Sequence, residues 1–288
     1  MRKHIHSSYS PSTNSQSCTA SPYKECIYNP TNKVPSSLSS SYSFISCSFT
    51  SLTSPVSGGA VAFTCGSTNS LTDCTFNLCS TSVSADTYTG GGAVFSSSGT
   101  LSAISCTFLS CSSSCFGGGL FGTKDGISTS AFECVFVECT AEYSGGGICT
   151  HYGSSSDVFS SRFLSCECMH CGGGVYHNNE AGYPIKISGS LFRKNVAKWS
   201  AGSRGGGAFE DCKTGTYQTH LLFSFFTLNT APNGVGNDMS VINKLFDTNN
   251  ILDCFTTTTF HSFWNHDNYI DNWLLLHLLI INKLSTNM

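Results

Sequence analysis

The densest group of metal-binding residue types in the chain is the hexapeptide CECMHC at residues 166–171. It contains Cys166, Cys168, His170 and Cys171, and thiolate and imidazole are the ligands that zinc sites use. The spacing differs from paired CxxC knuckles with a regular spacer, and alternation along a strand does not require His170 to face the thiols. We therefore expect no metal and no cofactor, and interpret these residues as structural, with a zinc site as the alternative.

Carboxylates are the second residue type that could do chemistry, because enzymes that cleave polysaccharides need clustered acidic or basic groups. Asp73 and Glu133 occupy equivalent positions two repeats apart, but Ser105 stands between them. A second set of loops is polar without a recognisable catalytic set. Its members are Lys124, Asp125, His151, Tyr152, Asp157, His177, Glu180, Lys186, Asp211 and Lys213. We predict no catalytic residues and keep a carbohydrate-active enzyme as the alternative function.

The composition indicates strands and turns and excludes one class of partner. Charged residues are 11% of the chain and the formal net charge is -3. Because a nucleic-acid surface needs concentrated positive charge, we expect no nucleic-acid partner. The 28 Gly, 21 Phe and 17 Cys, together with abundant Ser and Thr, replace the residues that usually fill helices.

A repeat organises most of the chain. Seven phenylalanines stand in like surroundings at spacings of 27, 32, 28, 27, 29 and 34 residues. They are Phe49, Phe76, Phe108, Phe136, Phe163, Phe192 and Phe226. Two positions earlier stand Cys47, Cys74, Cys106 and Cys134, and then serines. Three positions later, after Leu52, stand Cys79, Cys111, Cys139, Cys166, Asn195 and Asn229.

The repeat predicts an all-β parallel solenoid. Cys and Phe two residues apart point to the same side of a strand, and both residue types prefer burial. A period of this length without helices fits one coil per repeat, and the coils would stack about 4.8 Å apart in about seven to eight turns. Identical residues then form ladders along the axis. Glycine runs mark the corners and end at Gly59, Gly92, Gly119, Gly147, Gly174 and Gly207.

One loop column varies in length. The distance from each Phe to the end of the next glycine run is 10, 16, 11, 11, 11 and 15 residues. The additional residues therefore fall in 80–89 and 196–204, in the same part of the repeat. Insertions in solenoids gather on one face, which is often the binding face. The candidate binding residues on it are Tyr88, Tyr143, Lys198, Trp199 and Arg204.

Stacked cysteines raise the question of disulfide bonds. A coil spacing of about 4.8 Å lies inside the range of Cα separations that a disulfide allows. The Cβ vectors of stacked residues run parallel instead of toward each other, however. We therefore predict mostly reduced, buried thiols.

Recurring tetrapeptides carry a family resemblance over about residues 40–240. GGAV at 58–61 and 91–94, FRKN at 192–195 and FTLN at 226–229 resemble the repeats of the chlamydial polymorphic membrane proteins. They are similar also to repeat families of parasitic protists such as trichomonads, in which Cys often replaces the Asn. The resemblance implies a right-handed parallel β-helix at the cell surface. The expected function is a non-catalytic, adhesin-like interaction scaffold that binds a glycan or a protein.

The two ends of the chain depart from the repeat. We expect an N-terminal segment or imperfect cap coil over 1–40, the repeat domain over 41–258, and a cap helix or disordered apolar tail over 259–288. No apolar region follows the basic residues at the start, so no secretory signal is visible. The apolar run at 273–281 is shorter than the roughly 20 residues that span a bilayer. Membrane attachment is left open, without a complete transmembrane segment.

Overall fold

A computed structural model gives the fold of the chain. It describes residues 23–24, 27–28, 41–64, 68–82, 89–123, 128–152, 155–179, 183, 185–199, 203–212, 220–232, 238–242, 251–252, 255–256 and 263–265. Within these residues the regular elements are 32 short strands, which pair in parallel in four sheets. Strands that are neighbours in a sheet come from successive repeats, so the predicted all-β parallel solenoid is confirmed. Its handedness and its number of coils stay predictions.

Sheets 1 and 2 carry most of the interior. Each repeat contributes one strand to sheet 1 and, two or three residues later, one strand to sheet 2. Sheet 1 consists of β1 (Tyr23–Lys24), β3 (Ser43–Ile45), β7 (Thr68–Thr72), β11 (Thr100–Ile104), β15 (Ser128–Phe132), β19 (Ser155–Phe159), β23 (Ile185–Ser188), β27 (His220–Leu222) and β30 (Ile251–Leu252). Sheet 2 consists of β2 (Ile27–Tyr28), β4 (Ser48–Thr50), β8 (Thr75–Asn77), β12 (Thr107–Leu109), β16 (Val135–Val137), β20 (Arg162–Leu164), β24 (Leu191–Arg193), β28 (Phe225–Thr227) and β31 (Phe255–Thr256).

Sheets 3 and 4 complete each coil on either side of the variable loop. Sheet 3 is built from two-residue strands only. Its strands are β5 (Thr53–Ser54), β9 (Ser80–Thr81), β13 (Ser112–Ser113), β17 (Thr140–Ala141), β21 (Glu167–Cys168) and β25 (Val196–Ala197). Sheet 4 consists of β6 (Val61–Phe63), β10 (Val94–Ser96), β14 (Leu120–Thr123), β18 (Ile148–His151), β22 (Val175–Asn179), β26 (Ala208–Cys212), β29 (Met239–Ile242) and β32 (Phe263–Asn265).

Strand pairing reaches into both end segments. β1 and β2 pair with β3 and β4, so residues 23–24 and 27–28 contribute strands to two of the sheets. At the other end β32 pairs with β29 in sheet 4. The domain boundaries, and the fate of the remaining residues in 1–40 and 259–288, stay predictions. The apolar run at 273–281 lies outside the described residues.

Stacked phenylalanine rings form the centre of the core. Adjacent rings of the seven repeat phenylalanines have centroids 4.5 to 4.8 Å apart and planes within 2 to 6° of parallel. All seven side chains are fully buried. Burial of each ring contributes roughly 1.5 to 3 kcal/mol, and ring contacts add to this. The column therefore fixes the register of one coil on the next.

The inward column two positions before each core phenylalanine changes from cysteine to serine along the axis. Cys134 Sγ donates to the backbone oxygens of Phe132 and Ala103 at 3.3 and 3.4 Å. One coil later Ser161 Oγ makes the same two contacts, to Phe159 and Ala131, at 2.9 and 3.2 Å. A hydroxyl is a stronger hydrogen-bond donor than a thiol, and serine is smaller than cysteine. Serine therefore replaces cysteine in this column without a change of geometry.

The column three positions after each phenylalanine ends in an asparagine ladder. Asn195 Oδ1 accepts from the backbone nitrogen of Cys166 at 2.9 Å, and Asn195 Nδ2 donates to the backbone oxygen of Phe163 at 3.0 Å. Asn195 Nδ2 also donates to Asn229 Oδ1 at 3.0 Å, and Asn229 Nδ2 donates to Asp238 Oδ1 at 3.0 Å. These buried amides satisfy backbone groups at a corner, as a turn asparagine does.

Corners on either side of sheet 2 use positive φ angles in residues other than glycine. One such column precedes sheet 2 and includes Asp73, Ser105 and Glu133, with φ between 51 and 53°. The other follows sheet 2 and includes Leu78 and Lys194, at 54 and 57°. A non-glycine residue in this conformation costs roughly 1 to 2 kcal/mol. The sequence predicted corners at the glycine runs and did not indicate these two columns.

The glycine corner requires a correction of register. Val61, Val94 and Leu120 pair with one another, so Ala60 and Ala93 occupy the column of Gly119 and Gly147. The predicted alignment of Gly59 and Gly92 with that column is therefore wrong by one residue. Those two glycines share a column with Gly118 instead, where a Cβ on Gly92 would lie 2.1 Å from the Gly118 oxygen. That contact excludes any side chain.

The cysteines of the two ladders are thiols. The twelve cysteines whose side chains the structure describes are all free, and eleven of them are buried. Contact with the Cys106 thiol, together with burial, raises the pKa of Cys74 to about 12. Burial raises the pKa of Cys171, the half-buried member, to about 11. These groups are protonated at pH 7 and react poorly as nucleophiles.

Brief alkylation of the native protein at pH 8 should therefore leave the twelve described cysteines largely unmodified, with the half-buried Cys171 the first to react on longer exposure, and denaturation should expose all of them. Peptide mapping by mass spectrometry measures both states. A Cys74–Cys106 disulfide in a non-reduced digest would contradict the thiol ladder.

Exchange within the corner column should be tolerated. Asn at position 139 can donate to the backbone oxygen of Phe108, which Cys139 Sγ contacts at 3.5 Å, so Cys139→Asn should change the unfolding free energy by less than about 1 kcal/mol.

Phe136→Asp should unfold the coil, since it places an unpaired charge in the fully buried ring column. Denaturant unfolding measures both variants. Phe132→Asp, at a side chain that is 39% exposed, is the matched control and should keep the fold.

Candidate functional site

A groove runs along sheet 3. It encloses about 320 Å³ and crosses five successive coils, from β9 to β25. Its floor contains the buried side chains of Thr81, Ser113 and Cys168. Six of the twelve lining residues carry a hydroxyl group, and all six come from the coils of β9, β13 and β17. The lining residues are Thr81, Ser82, Ser112, Ser113, Ser114, Thr140, Ala141, Glu142, Glu167, Cys168, Met169 and Lys198.

Several polar groups of the groove have unused hydrogen-bonding capacity. Within the described residues, the side chains of Ser112, Thr140 and Glu142 make no hydrogen bond and no ion pair. Glu167 and Lys198 form an ion pair across two coils, and their side chains are 36% and 49% exposed. An exposed pair of this kind adds little stability. Its oxygen and nitrogen atoms still face solvent beside the groove, where they can bind a ligand.

An aromatic column borders the groove. Tyr143, His170 and Trp199 each stand seven residues after a phenylalanine of the core ladder. The Tyr143 and His170 rings stack with centroids 5.3 Å apart, and the Trp199 ring meets His170 edge-on at 4.5 Å. Phe116 lies against the other side of Tyr143 at 5.5 Å. The packing of His170 fixes the position of Trp199, which is 45% exposed.

The predicted binding residues are placed as follows. Tyr143, Lys198 and Trp199 lie together along the groove and its aromatic border. Arg204 lies outside the aromatic column, and its backbone pairs with that of Cys171 in the preceding coil. Tyr88 lies outside the described residues. That these residues bind a ligand stays a prediction.

Sequence reasoning missed His170, Glu167 and Met169 as parts of this surface. Counting from the nearest ladder phenylalanine gives the signal: Phe163 plus seven is His170, as Phe136 plus seven is Tyr143. Burial against its aromatic neighbours lowers the pKa of His170, so the ring is neutral at pH 7.

The four residues of the zinc alternative point to different places. Cys166 belongs to the inner corner column, and Cys168 packs in a small cluster with Ala141 and Ala197 under the groove. His170 stands in the aromatic column, and Cys171 packs against the outer apolar cluster of sheet 4. Across the described part of the chain, no three His, Cys, Asp or Glu side chains are grouped to hold a metal.

Some polar residues of the second set of loops are buried and hydrogen-bonded within the structure. His177 is fully buried between Thr150 and the loop that follows β22, where its Nε2 lies 2.7 Å from the backbone oxygen of Tyr183. A carbonyl can only accept, so Nε2 carries the proton and Nδ1 accepts from Thr150 Oγ1 at 2.7 Å. Asn178 donates to His151 Nε2 at 3.0 Å. Lys124, Asp125, Glu180 and Lys213 lie outside the described residues.

Acid should weaken the fold through His177. Burial lowers the pKa of this imidazole from 6.5 to about 4. Between pH 6.5 and about 4 the unfolded chain therefore binds a proton at His177 that the folded chain does not bind. The unfolding free energy falls as the pH drops through this range. The loss is on the order of 3 kcal/mol. Urea unfolding between pH 7 and 4 measures it, with His177→Gln as the comparison.

In His177→Gln this part of the pH dependence should disappear, because glutamine keeps a donor and an acceptor but does not titrate. Parallel pH profiles for the two proteins would contradict a neutral, buried His177.

The fold and the groove define the protein as a parallel β-solenoid with a polar, aromatic-bordered face. Compared with protein-family models, curated proteins and solved structures, the chain gives no match. Over the residues that the structure describes, no helix has the length and apolar character needed to cross a membrane.

Proposed function

We propose that this chain is a non-catalytic interaction scaffold that binds a glycan or a protein through the groove on sheet 3 and its aromatic border. The observation that carries the proposal is that Lys198 and the unpaired hydroxyl groups of Ser112 and Thr140 line one groove, with the exposed Trp199 next to Lys198 in the chain. Ring stacking and corner hydrogen bonds occupy the inner columns of each coil. Loops on a rigid scaffold are where proteins commonly place binding residues.

The repeats support a surface or adhesion role. GGAV and FxxN segments resemble those of the chlamydial polymorphic membrane proteins and of protist surface repeat families. By this resemblance we propose an extracellular or cell-surface location. Surface proteolysis of intact cells tests the location directly, because an adhesin must be accessible from outside.

A carbohydrate-active enzyme is the competing function. The observation that favours it is the presence of two carboxylates, Glu142 and Glu167, along the same groove. Hydrolysis or elimination would need one of them as a general acid or base. Sustained release of reducing sugars or of unsaturated products from a polysaccharide panel would establish the enzyme and remove the scaffold proposal.

Binding can be tested on a panel of immobilised glycans and extracellular-matrix proteins. We expect specific retention of the purified chain by at least one member, and a loss of about tenfold in affinity, or 1.4 kcal/mol, for Trp199→Ala. The physical reason is that Trp199 is the large exposed aromatic group at the groove, and such groups dominate binding energies.

Phe132→Ser is the matched control. It removes an aromatic side chain of similar exposure, 39% against 45%, from sheet 1. Retention of this variant should equal that of the unaltered chain. An absence of retention on every member, or equal loss in both variants, would contradict binding through the groove.

A further inference from the structure

We infer that the groove binds an unbranched, neutral glycan of several sugar units that lies parallel to the axis of the solenoid. This inference rests on the proposed binding function and names its ligand class. The evidence is the direction of the groove, the chemistry of its lining, the single exposed aromatic face at one end, and the balance of charge.

The direction of the groove selects a chain-like ligand. The lining residues come from five successive coils, so the groove extends along the axis by four coil spacings. At about 4.8 Å per coil this is roughly 19 Å. A single sugar ring would fill only a fraction of that length. Hydroxyl groups recur in three successive coils, those of Thr81, Ser112 and Thr140, which suits a ligand that also repeats.

The lining favours a polyhydroxylated ligand over a peptide. Peptides that bind to sheets usually add a strand at an open edge and pair with free backbone groups. This groove lies on the face of sheet 3, where strands pair with the coils on both sides. The free groups there are side-chain hydroxyls and a carboxylate, at Ser112, Thr140 and Glu142. The two hydroxyls can donate to and accept from sugar hydroxyls, and the carboxylate can accept from them.

Trp199 supplies the apolar contact. Its ring is 45% exposed, and His170 and the backbone bond from Trp199 N to the Met169 oxygen, at 2.6 Å, restrain it. The C–H face of a pyranose ring can pack on the open indole face. A restrained aromatic group loses little entropy when it binds, which favours affinity. Tyr143 and His170 cannot offer the same contact because their faces stack on each other.

The charges exclude an acidic polymer. Glu142, Glu167 and Lys198 line the groove, so its formal charge is one negative unit. Glu167 and Lys198 neutralise each other, which leaves the exposed Glu142. A sulfated or uronic-acid chain would place repeated negative charges beside that carboxylate, and like charges at an interface disfavour binding. A neutral chain meets no such penalty.

Calorimetric titration of the full chain tests the inference. The probes are neutral β-1,4-linked glucose, mannose and N-acetylglucosamine oligomers of two to six units, with heparin and oligogalacturonate as the acidic arm. We expect at least one neutral series to bind, with affinity that rises from the dimer to about the tetramer because the groove spans roughly 19 Å. Trp199→Ala should weaken that binding about tenfold or more, and Phe132→Ser should leave it unchanged.

Glu142→Gln tests the charge argument. It should leave the affinity for the neutral oligomer within about twofold and improve that for the acidic probes. Tighter binding of an acidic probe by the unaltered chain, no gain with length, or a neutral affinity indifferent to Trp199→Ala would overturn the inference.

The same experiments separate this inference from the function on which it rests. If only matrix proteins retain the chain and Trp199→Ala abolishes their retention, the scaffold function stands and the glycan assignment fails. If no glycan and no protein is retained, the proposed function itself fails.

Discussion

Everything in this molecule depends on the stacking of one phenylalanine per coil. Successive rings lie 4.5 to 4.8 Å apart and nearly parallel, which matches the distance between hydrogen-bonded strands. Ring contact and backbone pairing therefore demand the same spacing and support each other. Once Phe136 lies over Phe163, every residue at a given distance from them is also aligned. The inner ladders and the outer groove both follow from this register.

The change from cysteine to serine and asparagine along the axis shows what the inner columns must do. Both columns have to satisfy backbone groups at corners that are closed to water. Thiols reach those oxygens at 3.3 to 3.6 Å in the coils of Cys134 and Cys139, while Ser161 and Asn195 do so at 2.9 to 3.2 Å. Cysteine gives weaker hydrogen bonds but buries well in an apolar corner. Asparagine gives stronger bonds and links to its neighbour in the next coil, as Asn195 does to Asn229.

The sequence was sufficient to predict the fold class, because a strand period of two and a repeat of one coil leave few alternatives. It was not sufficient for the corners. Leu78 and Phe223 adopt positive φ angles that their side chains disfavour, and only the demand of the stacked coils on each side imposes them. The last glycine of each run was predicted to occupy one column, and this prediction was wrong for Gly59 and Gly92. The column that contacts the phenylalanine rings holds Ala60 and Ala93 in those two coils and glycine in later ones.

The loop column that contains Trp199 was predictable in position, but the packing of its aromatic rings was not. Length variation located the loop column that holds Trp199, and counting from Phe163 would have added His170. No pattern in the sequence indicated that the rings of Tyr143 and His170 would stack on each other. Because they do, Trp199 is the one of these three rings with a broad exposed face. That outcome depends on side-chain packing across three coils. Because the core ladder sets the separation of those coils, the length of the groove is fixed by the same stacking that fixes the fold.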